Sequence, residues 1–330
     1  MDINEKTVLI DNLITSTWYT IKDKIIDQVF QITPLFDKLV ESGKITAKVP
    51  DGTHFEIPIQ YAKQNQNRKW FGRGTEFSAG EKESLTRLLY YVRNVGTSIP
   101  RFFDDDRKNK GRAKLEDYAN YKVESAKAAM MDGFETDLWV QNSDPLAMNA
   151  LPTLVSTTPT VGTVGTMTRS SNDYLQNNIK DFTGLSTTAN LLDEMTTMYN
   201  LCSIWKSGTS RFPDMIVTTR EVYQDYERIC RLLQQIVTNK TERASLGFGD
   251  LAFKNTEIFW APECPAGCMY FLNTEHLELC YDPEVWFEMT SWKEGQGNID
   301  RVAQILCSCN LTCDHFRKMG VIFNITTVTN

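Results

Sequence analysis

The chain has 330 residues, of which 41% are hydrophobic and 23% charged, with a formal net charge of −7. That length supports two modules or one elongated one with a sizeable core, and an acidic balance argues against a protein that reads nucleic acid sequence-specifically. No apolar run reaches membrane-spanning length. The acidic, polar start "MDINEKTVLIDNLITSTWY" lacks the basic-then-apolar order of a signal peptide, so synthesis in a cytoplasm is expected.

Residues 8–31 carry helical periodicity through Val8, Leu9, Leu13, Trp18, Ile21, Ile25 and Val29. "TPLFDKLVESG" (33–43) predicts a short helix capped by Thr33, with Pro34 in its first turn and Gly43 at its end. From Lys44 the period changes to two. "KITAKVPDGTHFEIPIQYA" alternates on both sides of the hairpin signal "PDGT", with Phe55, Ile57 and Ile59 on one face. A polar, Gly-marked tip, "KQNQNRKWFGRGTEFSAGEKE" (63–83), leads to a second β run, "SLTRLLYYVRNVGTSI" (84–99). The span 44–99 thus reads as two long β arms with few residues for a core of their own. Such an arm needs a neighbour to pack on, and a second copy of the chain is one candidate.

The charge run "DDDRKNKGR" (104–112) reads as a solvated helix start, its aspartates facing the positive end of the helix dipole. The helix predicted over 113–141 has the stripe Leu115, Ala119, Val123, Ala126, Met130, Phe134, Leu138. It would span roughly 40 Å, and Gly133 costs it about 1 kcal/mol relative to Ala. A Thr/Gly/Pro-rich loop (150–174) follows. Then come a helix over 184–208 capped at Ser186 or Thr187 and ended at Gly208, a strand at 213–219 and an amphipathic helix at 220–237. From 256 the text is β-rich, which completes an elongated α+β subunit.

Motifs for chemistry are absent from this sequence. There is no phosphate loop, H-E-x-x-H or G-x-S-x-G, and "FGRGTEF" and "LGFGDL" are too short for a dinucleotide fingerprint. The three histidines, His54, His276 and His315, lie far apart. No catalytic residue, cofactor or metal is assigned.

The eight cysteines demand separate weighing, because "CPAGC" (264–268) and "ILCSCNLTCDH" (305–315) look like metal ligands. Their spacings are C-x-x-x-C, C-x-C and C-x-x-x-C, not the C-x-x-C knuckles of structural zinc. The strand period places Ala303, Ile305, Cys307, Cys309, Leu311 and Cys313 on one apolar face. Gln304, Ser308, Asn310 and Thr312 fall on the other, interrupted by Val302 and Leu306. The cysteines then serve as small buried hydrophobes. The check is whether Cys264 and Cys268 fold close to Cys309, Cys313 or His315. A zinc-dependent enzyme built on this cluster stands as the alternative of another class.

The order of parts, and above all "PDMIVTTREVYQDYERICRLL", "FKNTEIFWAPECPAGCMYFLNTEHLEL" and "RVAQILCSCNLTCDHFRKMGVI", resembles the major capsid proteins of tailed bacteriophages, the HK97-like fold family. The resemblance spans roughly residues 10–325. It implies N-terminal arm helices over 1–43, an extended loop over 44–99 lying on the neighbouring subunit, and a peripheral domain over 100–182 with the spine helix 113–141. An axial domain over 183–300 and return strands over 301–330 complete it. It also implies a subunit of an icosahedral or prolate phage head around double-stranded DNA, without catalysis or cofactor. The implied partners are copies of the chain in hexamers and pentamers, a portal protein, and a separate scaffolding protein, maturation protease and decoration protein; no membrane is involved. An encapsulin-like compartment is the nearer alternative. Lys69, Trp70, Arg73, Glu76, Glu81 and Lys82 at the loop tip are the candidates for intersubunit contact.

Overall fold

The computed structural model describes residues 11–19, 34–49, 52–61, 69–76, 84–102, 112–140, 144–203, 212–237, 252–254, 256–294 and 300–326. Helix α1 (11–19) buries Ile14 and Trp18, with Leu13 half-buried beside them; Val8, Leu9, Ile21, Ile25 and Val29 lie outside the described residues. Helix α2 (Pro34–Glu41) begins at the expected proline and buries Leu35, Phe36 and Leu39. It ends as expected at Gly43, whose φ of +63° is a left-handed conformation that glycine adopts without strain, and whose N–H donates to Val40 O at 3.0 Å.

The β text that follows pairs differently from the hairpin expected around "PDGT". Strand β1 (Ile45–Ala47) runs parallel to residues 279–281, with Ile45 opposite Leu279. Strand β2 (His54–Gln60) pairs antiparallel with β3 (Leu85–Tyr91), from His54 opposite Tyr91 to Gln60 opposite Leu85. The buried face of β2 explains the choice: Phe55, Ile57 and Ile59 need an apolar partner strand, and Leu88 and Tyr90 supply one, whereas β1 offers only Ile45 and Ala47. The second β run also divides. At Val92, whose N–H donates to Thr53 O at 2.9 Å, the chain leaves the arm; β4 (Arg93–Arg101) then pairs with residues 301–309. The neighbour on which the arm's root packs is the rest of its own chain. Phe55, Ile57, Ile59, Leu88 and Tyr90 belong to the main hydrophobic cluster of the chain.

The spine helix α3 (Arg112–Trp139) is the longest helix described, about 42 Å by its residue count. Val123, Ala126, Met130, Phe134 and Leu138 are buried on the expected stripe; the side chains of Leu115 and Ala119 are outside those described, as is the charge run at 103–111. Phe134 meets Phe36 edge-on at 6.3 Å and Phe287 at 6.0 Å, so the stripe joins α2 to the sheet beneath. A single helical turn (Leu151–Leu154), the small hairpin β5 (Thr163–Val164) and β6 (Met167–Thr168), and strand β7 (Asn178–Asp181) occupy the Thr/Gly-rich segment.

Helix α4 (Thr187–Cys202) follows Ser186 as expected, but the Ser186 side chain makes no capping hydrogen bond, and the helix stops at Cys202 rather than at Gly208. Next come β8 (Met215–Thr218), α5 (Arg220–Val237), β9 (Ala252–Phe253), β10 (Thr256–Trp260) and β11 (Met269–Leu272). Strands β12 (Leu277–Tyr281), β13 (Glu288–Met289), β14 (Lys293–Glu294), β15 (Arg301–Cys313) and β16 (Gly320–Phe323) end the chain.

Among the described residues, apart from the β2–β3 and β5–β6 pairs, the strands form two six-stranded sheets. One centres on β15, flanked by β4 on one side and by β12, β13 and β14 on the other, with β1 beyond β12; the second runs β7-β16-β11-β8-β10-β9. The second sheet is covered on both faces. Met215, Val217, Tyr270, Leu272 and Val321 join the main cluster, while Ile216, Met269, Phe271 and Ile322 pack with α4 and α5 residues in a smaller one. Strands covered on both faces read as continuous apolar runs, which "MIV" and "MYFL" are.

Residues 277–294 hydrogen-bond with β15, not with the strands of 183–276, and β16 crosses to the second sheet. The apolar run "GVIF" needs cover on both faces, and between β7 and β11 it finds it.

Candidate intersubunit interface

The arm tip carries four of the six expected contact residues, Lys69, Trp70, Arg73 and Glu76; Glu81 and Lys82 lie outside the described residues. A tight turn shapes it. Thr75 N–H donates to Gly72 O at 3.1 Å, and Gly72 N–H donates to Thr75 Oγ1 at 3.0 Å. Lys69 Nζ donates to Glu76 O at 3.2 Å and ties the two sides of the turn together. Trp70 is 91% exposed and Phe71 74%, so this turn presents two adjacent aromatic side chains to solvent. Sequence reading overlooked Phe71, although its place beside Trp70 was the available signal. Aromatics flanked by cations form a surface suited to recognition, because they bury much area at small entropic cost.

At its root the arm is firmly held. Tyr90 Oη donates to Cys313 O at 2.8 Å in a buried setting, and burial drives its phenol pKa well up, keeping it a donor. Leu89 N–H donates to Gly165 O at 3.2 Å. Gly165 has φ +54°, and a Cβ there would stand 2.7 Å from Leu88 Cβ, so only glycine lets the β5–β6 turn approach this closely. The exposed Arg87–Glu56 pair across the hairpin, at 2.8 Å, adds little.

The cysteines of β15 lie as parity demands. Cys307, Cys309 and Cys313 are buried with Ala303, Ile305 and Leu311. The opposite face departs from simple alternation, since Ser308, Asn310 and Thr312 are buried too. Each polar side chain there is satisfied. Ser308 Oγ donates to Asn94 Oδ1 at 2.7 Å, Asn310 Nδ2 to Tyr91 O at 2.7 Å, and Thr312 Oγ1 to Glu278 O at 2.9 Å.

Among the described residues, no three of His, Cys, Asp and Glu gather to hold a metal, and all eight cysteines are free. Burial pushes the Cys264, Cys268, Cys307 and Cys313 thiols up, and those of Cys280 and Cys202 to about 11 and about 12. His315 meets His276 instead, ring centres 5.3 Å apart. Lys318 Nζ donates to His276 Nε2 at 2.7 Å, which leaves His276 Nδ1 to donate to Asp314 Oδ1 at 2.8 Å. Burial, then His276 and Lys318, hold the His315 pKa down to about 4.

A cleft that sequence reading did not foresee lies where β4 leaves the arm. It encloses about 270 Å³ between Arg93 and Val95 on β4, Phe134 and Asp137 on the spine helix, and Leu146 and Met148 on the loop after it. Arg93 stacks over the Tyr91 ring at 5.2 Å, and its buried Nε has no hydrogen-bond partner among the described residues. Neither Arg93 nor Asp137 forms an ion pair among the described residues, and burial raises the Asp137 pKa. Asp144, on the same wall, accepts from Leu146 N–H at 2.8 Å. No motif marks these residues, because their meeting depends on three separate elements.

No protein-family model and no curated protein matches this sequence. Solved structures do. A subunit of the cyanophage A-1(L) capsid aligns with a TM-score of 0.59 at 13% identity, covering 86% of this chain and 91% of that one. The encapsulin of the holo-SrpI complex from Synechococcus elongatus PCC 7942 aligns with a TM-score of 0.53 at 12% identity, covering 90% of each chain. A capsid chain of the native GTA particle aligns with a TM-score of 0.53 at 9% identity, covering 86% and 89%. At these identities the likeness is one of fold.

Proposed function

From the HK97-like capsid fold that the chain has, we propose that it is the structural subunit of a closed protein shell, the major head protein of a tailed phage with a double-stranded DNA genome. The observation that carries this beyond fold is the arm: rooted in the main core, yet presenting Trp70 and Phe71 to solvent at its tip. Apolar surface displayed on a projecting arm is covered on assembly, and a shell gains its stability from many such contacts repeated. Lys69, Trp70, Arg73 and Glu76, with Glu81 and Lys82, are the proposed intersubunit residues.

On this reading the chain's partners are its own copies in hexamers and pentamers, a portal protein, and separate scaffolding, protease and decoration proteins. Packaged DNA would be enclosed without sequence-specific contact, as the net charge of −7 suits. The segments 44–99, 100–182 and 183–300 would serve as extended loop, peripheral domain and axial domain. The role is structural, in the virion, with no catalytic step. Among the described residues, no helix is long and apolar enough to cross a membrane.

Electron microscopy of the expressed chain, alone and with its genomic neighbours, tests the proposal. Closed shells tens of nanometres across are expected; a small species under every assembly condition refutes it. The encapsulin likeness favours a second reading, a compartment around an enzyme cargo. Shells that retain a co-expressed enzyme through a short targeting peptide on their inner face, rather than DNA, would select it.

A further inference from the structure

A second cavity shares Arg93 with the cleft beside Asp137 and no other wall residue. It encloses about 190 Å³ at the arm root, room for roughly six waters. Tyr91 and Arg93 wall it where β3 passes into β4, Asn149 and Thr153 at the single helical turn, and Thr163 and Thr166 on the β5–β6 hairpin. Its charge is one-sided: Arg93 is the one charged residue among the described residues that line it, and Asp137 and Asp144 stand on the neighbouring cleft instead. Arg93 makes no ion pair among the described residues, and its buried Nε has no hydrogen-bond partner there. Its guanidinium lies over the Tyr91 ring at 5.2 Å. The wall amides are already engaged: Asn149 N–H donates to Asn310 Oδ1 and its Nδ2 to Leu311 O, while Asn310 Nδ2 donates to Tyr91 O. The Thr153 and Thr163 hydroxyls, with no partner among the described residues, are free to donate.

The hairpin holds strain on this same wall. Gly165 and Thr166, between β5 and β6, have φ of +54° and +67°, as a two-residue hairpin turn demands. Glycine takes the first without strain, whereas a β-branched residue at the second is strained. The Thr166 hydroxyl, donating to Gly165 O at 2.6 Å, holds that conformation. Strain of this kind gathers at ligand clamps.

We propose that this pocket binds a small tetrahedral oxyanion, a phosphate or phosphomonoester, anchored by the Arg93 guanidinium with Thr153 and Thr163 as hydroxyl donors. A guanidinium offers a rigid fork of N–H groups that matches phosphate oxygens, and a half-buried one without a partner costs free energy until an anion arrives. Donors from three elements suit a tetrahedral anion, whereas a flat carboxylate is satisfied by the fork alone. Nucleic acid carries the same phosphate chemistry, but a duplex needs a run of cations to replace its counterions. Here one cation stands beside Asp137 and Asp144, on a chain of net charge −7. The free anion is therefore the ligand. Bound, it bridges β4, the helical turn and β5, and so ties the arm root within a single subunit, whether or not shells form.

Calorimetric titration of inorganic phosphate into the full-length chain, at neutral pH and constant ionic strength, tests the site. One saturable site with Kd at or below about 1 mM is expected. Arg93→Gln should weaken it roughly tenfold or more, and Thr153→Val or Thr163→Val severalfold, with each variant's fold checked by circular dichroism. Should Arg93→Gln not fold, Thr163→Val, a near-isosteric change at an exposed position, carries the test. Asp137→Asn, outside the pocket, should leave binding unchanged or tighten it. Methyl phosphate should bind about as well as phosphate, and acetate roughly tenfold more weakly. No saturable binding, or one Kd shared by the unmodified chain and the folded variants, overturns the site. Acetate binding as tightly as phosphate overturns its tetrahedral assignment. A short DNA duplex that displaces phosphate in an Arg93-dependent way overturns the free anion as its ligand.

Discussion

The root and the tip of the arm are continuous in sequence and opposite in physics. At the root, Phe55 is 1% exposed, Tyr90 reaches the backbone of β15, and Gly165 closes on Leu88. At the tip, Trp70 and Phe71 are as apolar but face solvent. The same kind of side chain thus stands in two settings according to where the hairpin places it: buried in the main cluster at the root, exposed at the tip, where it is the proposed contact surface. Root substitutions should therefore change the stability of the single chain, and tip substitutions should change assembly.

The largest effect is expected at Phe55. Phe55→Ala removes a ring from the main cluster and should cost about 3–5 kcal/mol in urea unfolding of the unassembled chain. A loss below about 1 kcal/mol would break the claim that the root is core. Next comes pH, through His315, two residues past the Cys313 carbonyl that accepts from Tyr90. His315 is neutral in the fold, its pKa lowered from 6.5 to about 4, so the unfolded chain takes up the proton first as pH falls. Its contribution is complete above about pH 6.5 and is lost as pH drops toward 4, on the order of 3 kcal/mol in all. His315→Gln should flatten that slope in denaturation measured at pH 7, 6, 5 and 4.

A smaller loss, about 1–3 kcal/mol, is expected for Gly165→Ala, which combines positive φ with a clash on Leu88. Hydrogen exchange should show it as faster exchange at Leu89, whose N–H donates to Gly165 O. The smallest effect on the isolated chain belongs to Trp70→Ala, within about 0.5 kcal/mol. Shell yield by sedimentation should nevertheless fall severalfold. A tip variant that unfolds the monomer but assembles normally would reverse the comparison.

Much of this was readable from residue order alone. The spine-helix stripe from Val123 to Leu138, the Gly43 stop and the parity of Phe55, Ile57 and Ile59 are local patterns with one geometric solution each, and the structure bears them out. The burial of Cys307, Cys309 and Cys313 follows from the same period-two argument. What failed was pairing. "PDGT" is a sound turn signal, yet β1 and β2 go to different partners, because strand pairing is decided by which distant apolar face is on offer. For the candidate site, an aromatic among charges marked the arm tip, and nothing in the residue order marked the cleft beside Arg93.

By itself the sequence determined the periods, and through them the elements and their buried faces; it also determined the acidity that argues against reading nucleic acid. The tertiary structure alone decided that β12 and β4 flank β15, that Ser308, Asn310 and Thr312 are buried and bonded, and that Arg93 and Asp137 share a cleft. The reason is range. Alternation and helical period act between residues two to four apart, whereas a cleft wall joins residues tens to hundreds apart, whose meeting is set by the packing of the whole chain.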